Sequence, residues 1–199
     1  MHAPSHFHPR RPRLIAGAAI SGAFCALLGL LALFGWYCHI PQLVQVQPGM
    51  APMQYNSALC FVLMGLALEA WTCGRTRRAL PVLGGIVALM GALTLGEYLF
   101  RARLGIDQLF FRCYIATGSS VMGRMSPVAA FSFLLGGSAM VLLTGATGPR
   151  WRALAVGSAA SVTISISLVA IAGYGFDLPG AYGWGQFTRL AAHSAAGLG

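Results

Sequence analysis

Four polar side chains stand at the heads of apolar segments, where amide, hydroxyl and imidazole groups could bind a ligand. Asn56 and His193 hold equivalent positions in a repeated phrase, and Ser57 and Ser194 follow them directly. Buried groups of these types must find hydrogen-bond partners. Two interpretations stay open. The groups converge on a pocket for a small ligand in the outer half of a membrane, or the amide and hydroxyls cap helices while the imidazole bonds a neighbouring helix.

A second candidate is an acid inside an apolar segment. Glu97 lies about one helical turn before the end of its segment, and an intramembrane carboxylate is a functional candidate by default. Arg101 follows at i+4, the favourable order for a helical ion pair, so a pairing that only fixes the helix end is the alternative. Asp107 and Gln108 begin a short amphipathic piece that we place at the membrane interface, and we predict that Asp107 caps it.

The remaining reactive residues do not form a recognised catalytic or metal motif. Cys38 and Cys113 both fall in loops predicted outside the cytoplasm, where an oxidising compartment would allow a disulfide between them. His193 has no second histidine at a spacing that suits a metal or haem. The sequence contains no nucleophile elbow and no phosphate-binding glycine loop. We therefore predict no enzyme activity and identify no cofactor.

Composition indicates that lipid surrounds most of the chain. Hydrophobic residues make up 57% and charged residues 9%, whereas a soluble domain carries about 25% charged residues. The formal net charge of +9 comes from arginine alone. These arginines lie between apolar segments and do not form a patch with interleaved aromatics, which argues against nucleic-acid binding.

The apolar segments predict an all-α, polytopic membrane bundle. A spanning helix needs about 20 apolar residues, and we predict five full transmembrane helices plus a truncated sixth that begins near Thr188. A helix that ends in mid-bilayer leaves carbonyl groups facing lipid. We therefore expect either that the natural protein continues or that this end is not inserted as predicted. The five full segments are residues 14–37, 53–71, 80–100, 126–144 and 153–173.

A phrase repeated three times defines the structural unit. Its copies cover residues 50–61, 123–133 and 188–197, and each follows a predicted outer loop. The unit is therefore a helix, an outer loop and a returning helix. We predict a cytoplasmic tail over residues 1–13 and a membrane bundle over 14–199, built from three repeated helix pairs at about 14–73, 79–146 and 153–199.

Arginine placement predicts the orientation. Three clusters share one side if every helix crosses, and the positive-inside rule makes that side cytoplasmic. We expect a multi-pass protein of a bacterial inner membrane with a cytoplasmic N-terminus. The clusters are Arg10, Arg11 and Arg13; Arg75, Arg77 and Arg78; and Arg150 and Arg152.

A stripe of small residues predicts close helix packing. Gly84, Ala88, Ala92 and Gly96 recur at four-residue spacing in the third segment. Small side chains at that spacing let two helix backbones approach closely.

With these residues identified, the chain resembles the multi-pass N-terminal sensory-input region of bacterial signalling proteins, chiefly histidine kinases and diguanylate cyclases that often carry PAS domains. The resemblance covers about residues 14–199, and its second copy departs from the family pattern, with Val128-Ala129 where Asn-Thr is usual. The matching tracts are Asn56-Ser57-Ala58, residues 93–100 with Gly105-Ile106-Asp107-Gln108-Leu109, and Gln186-Phe187-Thr188-Arg189 with His193-Ser194-Ala195.

The resemblance implies a sensory domain that passes a signal to a cytoplasmic effector in cis. No kinase or cyclase motif is present in these residues, and the implied partners are the lipid bilayer, that effector, an unknown small ligand and a second copy in a homodimer. Two alternatives remain. One is a small stand-alone membrane protein of transporter or channel type, with its repeats forming a path, and the other is a degenerate fragment with no function of its own.

Overall fold

The computed structural model describes residues 12–47, 50–74, 78–115, 121–143, 149–182 and 188–199. Regular structure in these ranges is helical, with no β-strand. Several residues used above (Arg10, Arg11, Arg75, Arg77, Gln186 and Phe187) lie outside the described ranges.

The described ranges contain eight α-helices. They are α1 (Pro12–Tyr37), α2 (Pro41–Val44), α3 (Tyr55–Thr72), α4 (Ala79–Leu99), α5 (Pro127–Leu142), α6 (Arg150–Gly175), α7 (Pro179–Tyr182) and α8 (Ala192–Leu198). Of these, α1, α3, α4, α5 and α6 have 16 residues or more. A single 3-10 turn, Ile106–Gln108, lies in the loop between α4 and α5.

Three described helices are long and apolar enough to cross a membrane: Arg13–Tyr37, Ala79–Leu99 and Arg150–Gly175. The prediction of five full spans is not supported. Helix α5 has 16 residues, which reach about 24 Å against a hydrocarbon core of about 30 Å. Helix α3 begins with the polar Tyr55, Asn56 and Ser57 and carries Glu69 near its other end. The chain is a helical bundle with apolar helices suited to a bilayer.

Three long helices each pack on a helix that follows them in the chain. Helix α1 packs on α3, α4 packs on α5, and α6 packs on α8. Contacts of α3 with α4, α5 with α6, and α8 with α1 close these pairs into a ring. The buried core lies between the second helices of the pairs, where Phe61 and Phe133 meet edge to face with centroids 5.1 Å apart.

Glycines set the closest approaches between paired helices. A Cβ atom added at Gly65 of α3 would lie 2.5 Å from the backbone nitrogen of Ala26 in α1, and one added at Gly84 of α4 would lie 2.9 Å from the Gly137 carbonyl of α5. Gly91 makes a second backbone contact with α5.

The predicted small-residue stripe on α4 is therefore only partly correct. Gly84 lies at the helix interface, but Gly96 has no neighbouring atom within 4 Å of an added Cβ. Gly84 and Gly96 are twelve residues apart. At 3.6 residues per turn this separation is three turns plus about a third of a turn, so the two glycines face different directions. A seven-residue step from Gly84 to Gly91 stays on the same face.

Candidate functional site

The three copies of the repeated phrase adopt the same backbone conformation at the start of a helix. The residues that precede α3, α5 and α8 are Gln54 (φ −65°, ψ 151°), Ser126 (φ −64°, ψ 150°) and Ala191 (φ −67°, ψ 145°). Only Ser126 of these three caps its helix with a side chain, because its hydroxyl accepts a hydrogen bond from the Ala129 nitrogen at 3.1 Å. The three copies therefore share a backbone conformation as well as a sequence pattern.

Replacing Ser126 with Ala is expected to lower the free energy of unfolding by about 1 kcal/mol, since an N-cap hydroxyl satisfies one otherwise free N–H of α5. Reversible unfolding of the reconstituted protein in SDS measures this change. Ser165→Ala is the matched control, because the Ser165 hydroxyl is exposed and bonds only the Ser161 carbonyl one turn back in its own helix. Equal losses from the two variants would contradict a capping role.

The three helix starts meet around one narrow polar crevice. Each copy contributes residues to its wall, and the gap leaves no room for a water molecule in this conformation. Ser57 and Ser194 line it, as the pocket interpretation expects, whereas Asn56 and His193 do not. The lining residues are Pro52, Gln54, Ser57, Ser126, Ala129, Arg189, Leu190, Ala191 and Ser194.

The capping interpretation of Asn56, Ser57 and Ser194 is wrong. The N-cap positions fall earlier, at Gln54 and Ala191, and neither makes a side-chain cap bond. Asn56 instead donates from Nδ2 to the Ile106 carbonyl at 2.9 Å. This bond holds the α4–α5 loop against the start of α3.

Gln54 is a crevice residue that the sequence interpretation missed. Its side chain is 4% exposed, and its Oε1 atom finds no hydrogen-bond donor among the described residues. Alignment of the phrases could have found it, because Gln54 stands where Ser126 stands in the second copy. His193 is half-buried beside the crevice-lining Ser194, and its Nδ1 atom also lacks a partner within the described ranges.

A buried cluster of charged side chains lies beside the crevice. The Arg124 guanidinium bonds Asp107 from Nε to Oδ2 at 2.9 Å and lies 3.3 Å from Glu97, between Nη2 and Oε1. All three side chains are less than one-tenth exposed. The Leu104 backbone nitrogen donates to the same Glu97 oxygen at 2.7 Å. We call Glu97, Asp107 and Arg124 the charge cluster.

The predicted pairing of Glu97 with Arg101 is wrong. Helix α4 ends at Leu99, and Arg101 is exposed with a left-handed φ of 49°. An i+4 ion pair needs the helix to continue through both residues, so the turn at Arg101 removes that geometry. Arg124, near the far end of the same loop between α4 and α5, pairs with Glu97 instead.

Asp107 and Gln108 hold the loop together rather than capping it. Gly105 is the residue before the 3-10 turn, and no side chain caps that turn. Asp107 is buried and bonds Arg124. Gln108 donates from Nε2 to the Met122 carbonyl at 3.1 Å, which joins the two arms of the loop.

Arg124 connects the charge cluster to the crevice. It lies two residues before Ser126, donates to the Ala102 carbonyl at 3.2 Å, and sits 5.3 Å from the centre of the Tyr98 ring. The Tyr98 hydroxyl bonds both the Met125 carbonyl at 3.0 Å and the Thr188 hydroxyl at 3.1 Å. Tyr98 therefore ties α4 to the segments that lead into α5 and α8.

Burial raises the pKa of the Asp107 carboxyl from 3.8 to about 6. Desolvation is the largest cause and the Glu97 charge adds to it, while the hydrogen bond and charge of Arg124 act in the opposite direction without cancelling them. Because the folded chain holds this proton more tightly than the unfolded chain, the group favours folding at low pH and this contribution is lost as the pH rises through about 6.

The free energy of unfolding is therefore expected to fall between about pH 4 and about pH 6, which are the pKa values of this carboxyl in the unfolded and the folded chain. Unfolding in SDS across that range measures the slope. Asp107→Asn should remove most of it, while Asp177→Asn should leave it unchanged because Asp177 is an exposed loop residue. If the pH dependence of the unfolding free energy is unchanged in Asp107→Asn, another group is responsible for it.

The predicted disulfide between Cys38 and Cys113 is not formed, and all five cysteines are free thiols. The loops that carry them are neighbours, since the His39 and Tyr114 rings lie 4.6 Å apart. However, the Cys113 thiol is turned towards its own loop and donates to the Ile115 carbonyl at 3.3 Å. Aromatic contacts among Trp36, Tyr55, Phe111 and Tyr114 join these loops instead.

The chain matches no protein-family model, no curated protein and no solved structure.

Proposed function

We propose that the chain is a membrane-embedded sensory input module that passes an outer-side or intramembrane signal to a cytoplasmic histidine kinase or diguanylate cyclase. The observation that carries this proposal is the convergence of three equivalent helix starts on a narrow crevice lined by polar residues. The tracts that resemble sensory-input regions contribute to the same features, because they include Ser57, Asp107 and Ser194.

The crevice suits a two-state device. It has no room for a ligand in this conformation, so binding requires that the starts of α3, α5 and α8 move apart. A ligand shifts a packing equilibrium only through different affinity for the two states. Since those helices form the core of the bundle, movement at the crevice would change helix packing on the far side, where an effector would be attached.

Crevice substitutions should therefore change signalling output in the natural host. We expect chromosomal Ser57→Ala and Ala129→Leu to alter output several-fold in opposite directions: loss of the hydroxyl weakens ligand binding, and the larger side chain forces the helix starts apart. Output is measured as cellular cyclic di-GMP and as phosphorylation of response regulators. Ser165→Ala is the matched control, with membrane levels of every variant checked by immunoblot.

Wild-type output from both crevice variants at wild-type protein level would contradict the proposal. The transporter alternative makes a different prediction, namely substrate flux in proteoliposomes that contain only this chain. Flux that Ala129→Leu abolishes, without any change in signalling output, would favour that alternative.

A further inference from the structure

Two oxygens in the charge cluster have no partner. Glu97 Oε2 and Asp107 Oδ1 are both buried, and no hydrogen-bond donor among the described residues reaches either one. The Glu97 side chain is fully buried and that of Asp107 is 9% exposed. A buried carboxylate oxygen without a donor carries its full desolvation penalty. These orphan oxygens indicate that the site takes a further positive group.

Charge counting leads to the same requirement. With both acids ionised, one guanidinium faces two carboxylates and the cluster carries a net charge of −1. Among the described residues, Arg124 and Glu97 are the charged groups that act on Asp107. The Tyr98 ring from α4 and the Asn56 amide from α3, which bonds the adjacent Ile106 carbonyl, are neutral. Arg101 and Arg103 of the same loop are exposed. One more positive charge would make the buried cluster neutral.

We propose that Glu97 and Asp107 together bind one hydrogen ion, forming a carboxylic acid–carboxylate pair beside Arg124. The added proton converts one orphan acceptor into an O–H donor, and the other carboxyl group supplies the acceptor. Two carboxyl groups that share a site cannot both ionise easily. The pair then holds the proton as a unit, and the proton belongs to neither residue alone.

The contacts of the two acids support sharing. Both carboxyl groups contact the same guanidinium, Glu97 at 3.3 Å from Nη2 and Asp107 at 2.9 Å from Nε, so they are neighbours, and the Glu97 charge contributes to the raised pKa of Asp107. Glu97 also accepts the Leu104 N–H, and Arg124 holds the Ala102 carbonyl. Release of the proton would leave an uncompensated negative charge beside these hydrogen bonds, which hold the α4–α5 loop against the end of α4.

Proton release would thus loosen this loop two residues before Ser126, at the wall of the crevice. The inference rests on the proposed function in one respect: it makes the hydrogen ion the class of signal that the sensory module detects. Proton binding by the pair is itself independent of any output and can be measured on the chain alone.

Infrared difference spectroscopy of the protein in lipid membranes tests the proposal directly. The whole chain has only four acidic residues, so the carboxylic acid C=O band, identified by its shift in heavy water, can be assigned. We expect a band from one protonated carboxyl group at about pH 5 that disappears by about pH 8. Asp107→Asn and Glu97→Gln should each remove it, because the single remaining acid is neutralised by Arg124. Asp177→Asn should keep it.

Selective isotope labelling keeps the test decisive if either variant fails to fold. Carboxyl-¹³C aspartate or glutamate in the wild-type chain should shift the band, because the shared proton spends time on both residue types. Absence of the band at pH 5, or a band that neither label shifts, would overturn the proposal. A stability that depends on sodium rather than pH, without a carboxylic acid band, would assign the positive charge to a bound cation.

The two proposals can fail separately. If the carboxylic acid band titrates but cellular output does not change with external pH, the pair binds a proton but the hydrogen ion is not the signal. If the Ser57→Ala and Ala129→Leu strains show altered output but no band titrates, the sensory function is supported and proton binding by the pair is contradicted.

Discussion

Replacing Arg124 with Gln is expected to lower the free energy of unfolding by about 3–5 kcal/mol at neutral pH, because it leaves two buried carboxyl groups without their cation. Glutamine preserves part of the side-chain volume and a hydrogen-bonding amide, so the loss reports mainly the missing charge. Arg124 also bonds the Ala102 carbonyl and packs on the Tyr98 ring, and these contacts add to the effect.

Unfolding in SDS at two pH values measures the loss and separates its causes. Below about pH 5 the penalty should shrink, since protonation neutralises the acids that Arg124 no longer pairs. Arg101→Gln is the matched control: that arginine lies on the same loop but is exposed, and surface changes usually stay within about 0.5 kcal/mol. Equal losses from Arg124→Gln and Arg101→Gln would show that the charge cluster does not stabilise the fold.

Replacing Gly91 with Ala is expected to destabilise the protein by about 1–3 kcal/mol, although alanine is the better helix former. The new Cβ would meet the Ala130 carbonyl oxygen and lie 2.7 Å from the Leu134 backbone nitrogen of α5. These are backbone atoms that cannot rotate away, so α4 and α5 must separate.

Gly96→Ala in the same helix is the control. No atom lies within 4 Å of a Cβ added there, so the change should be neutral or stabilising by up to about 1 kcal/mol through helix propensity. Thermal unfolding of the two purified variants in one detergent gives the comparison. A loss at Gly96 as large as that at Gly91 would contradict the packing of α4 on α5 described above.

The sequence predicted the class of fold and the recurrence of its unit. Few charged residues and long apolar segments predict a helical bundle whose helices suit a membrane, and the repeated phrase indicated where the helices α3, α5 and α8 begin. The count of five spans failed because a hydropathy pattern does not reveal where a helix ends. Helix α5 is short, and α3 starts and ends with polar residues.

The candidate site was only partly predictable for a related reason. Ser57 and Ser194 could be selected from the repeat, because equivalent positions in a repeated unit return to one place in the fold. Gln54 could have been selected in the same way, because it aligns with Ser126, but Arg124 could not. Arg124 stands at no helical spacing from Glu97 and reaches it only because the loop after Arg101 folds back on α4.

The sequence by itself therefore determined the helical class, the apolar helices suited to a bilayer and the recurrence of the helix starts, since each follows from local composition and spacing. Tertiary structure alone decided which side chains meet. Glu97 pairs with Arg124 rather than Arg101 because α4 ends two residues before Arg101. Asn56 bonds the α4–α5 loop because the Ile106 carbonyl lies within reach of its amide. These pairings depend on the paths of the loops and on where each helix ends, and neither can be read from the amino-acid sequence.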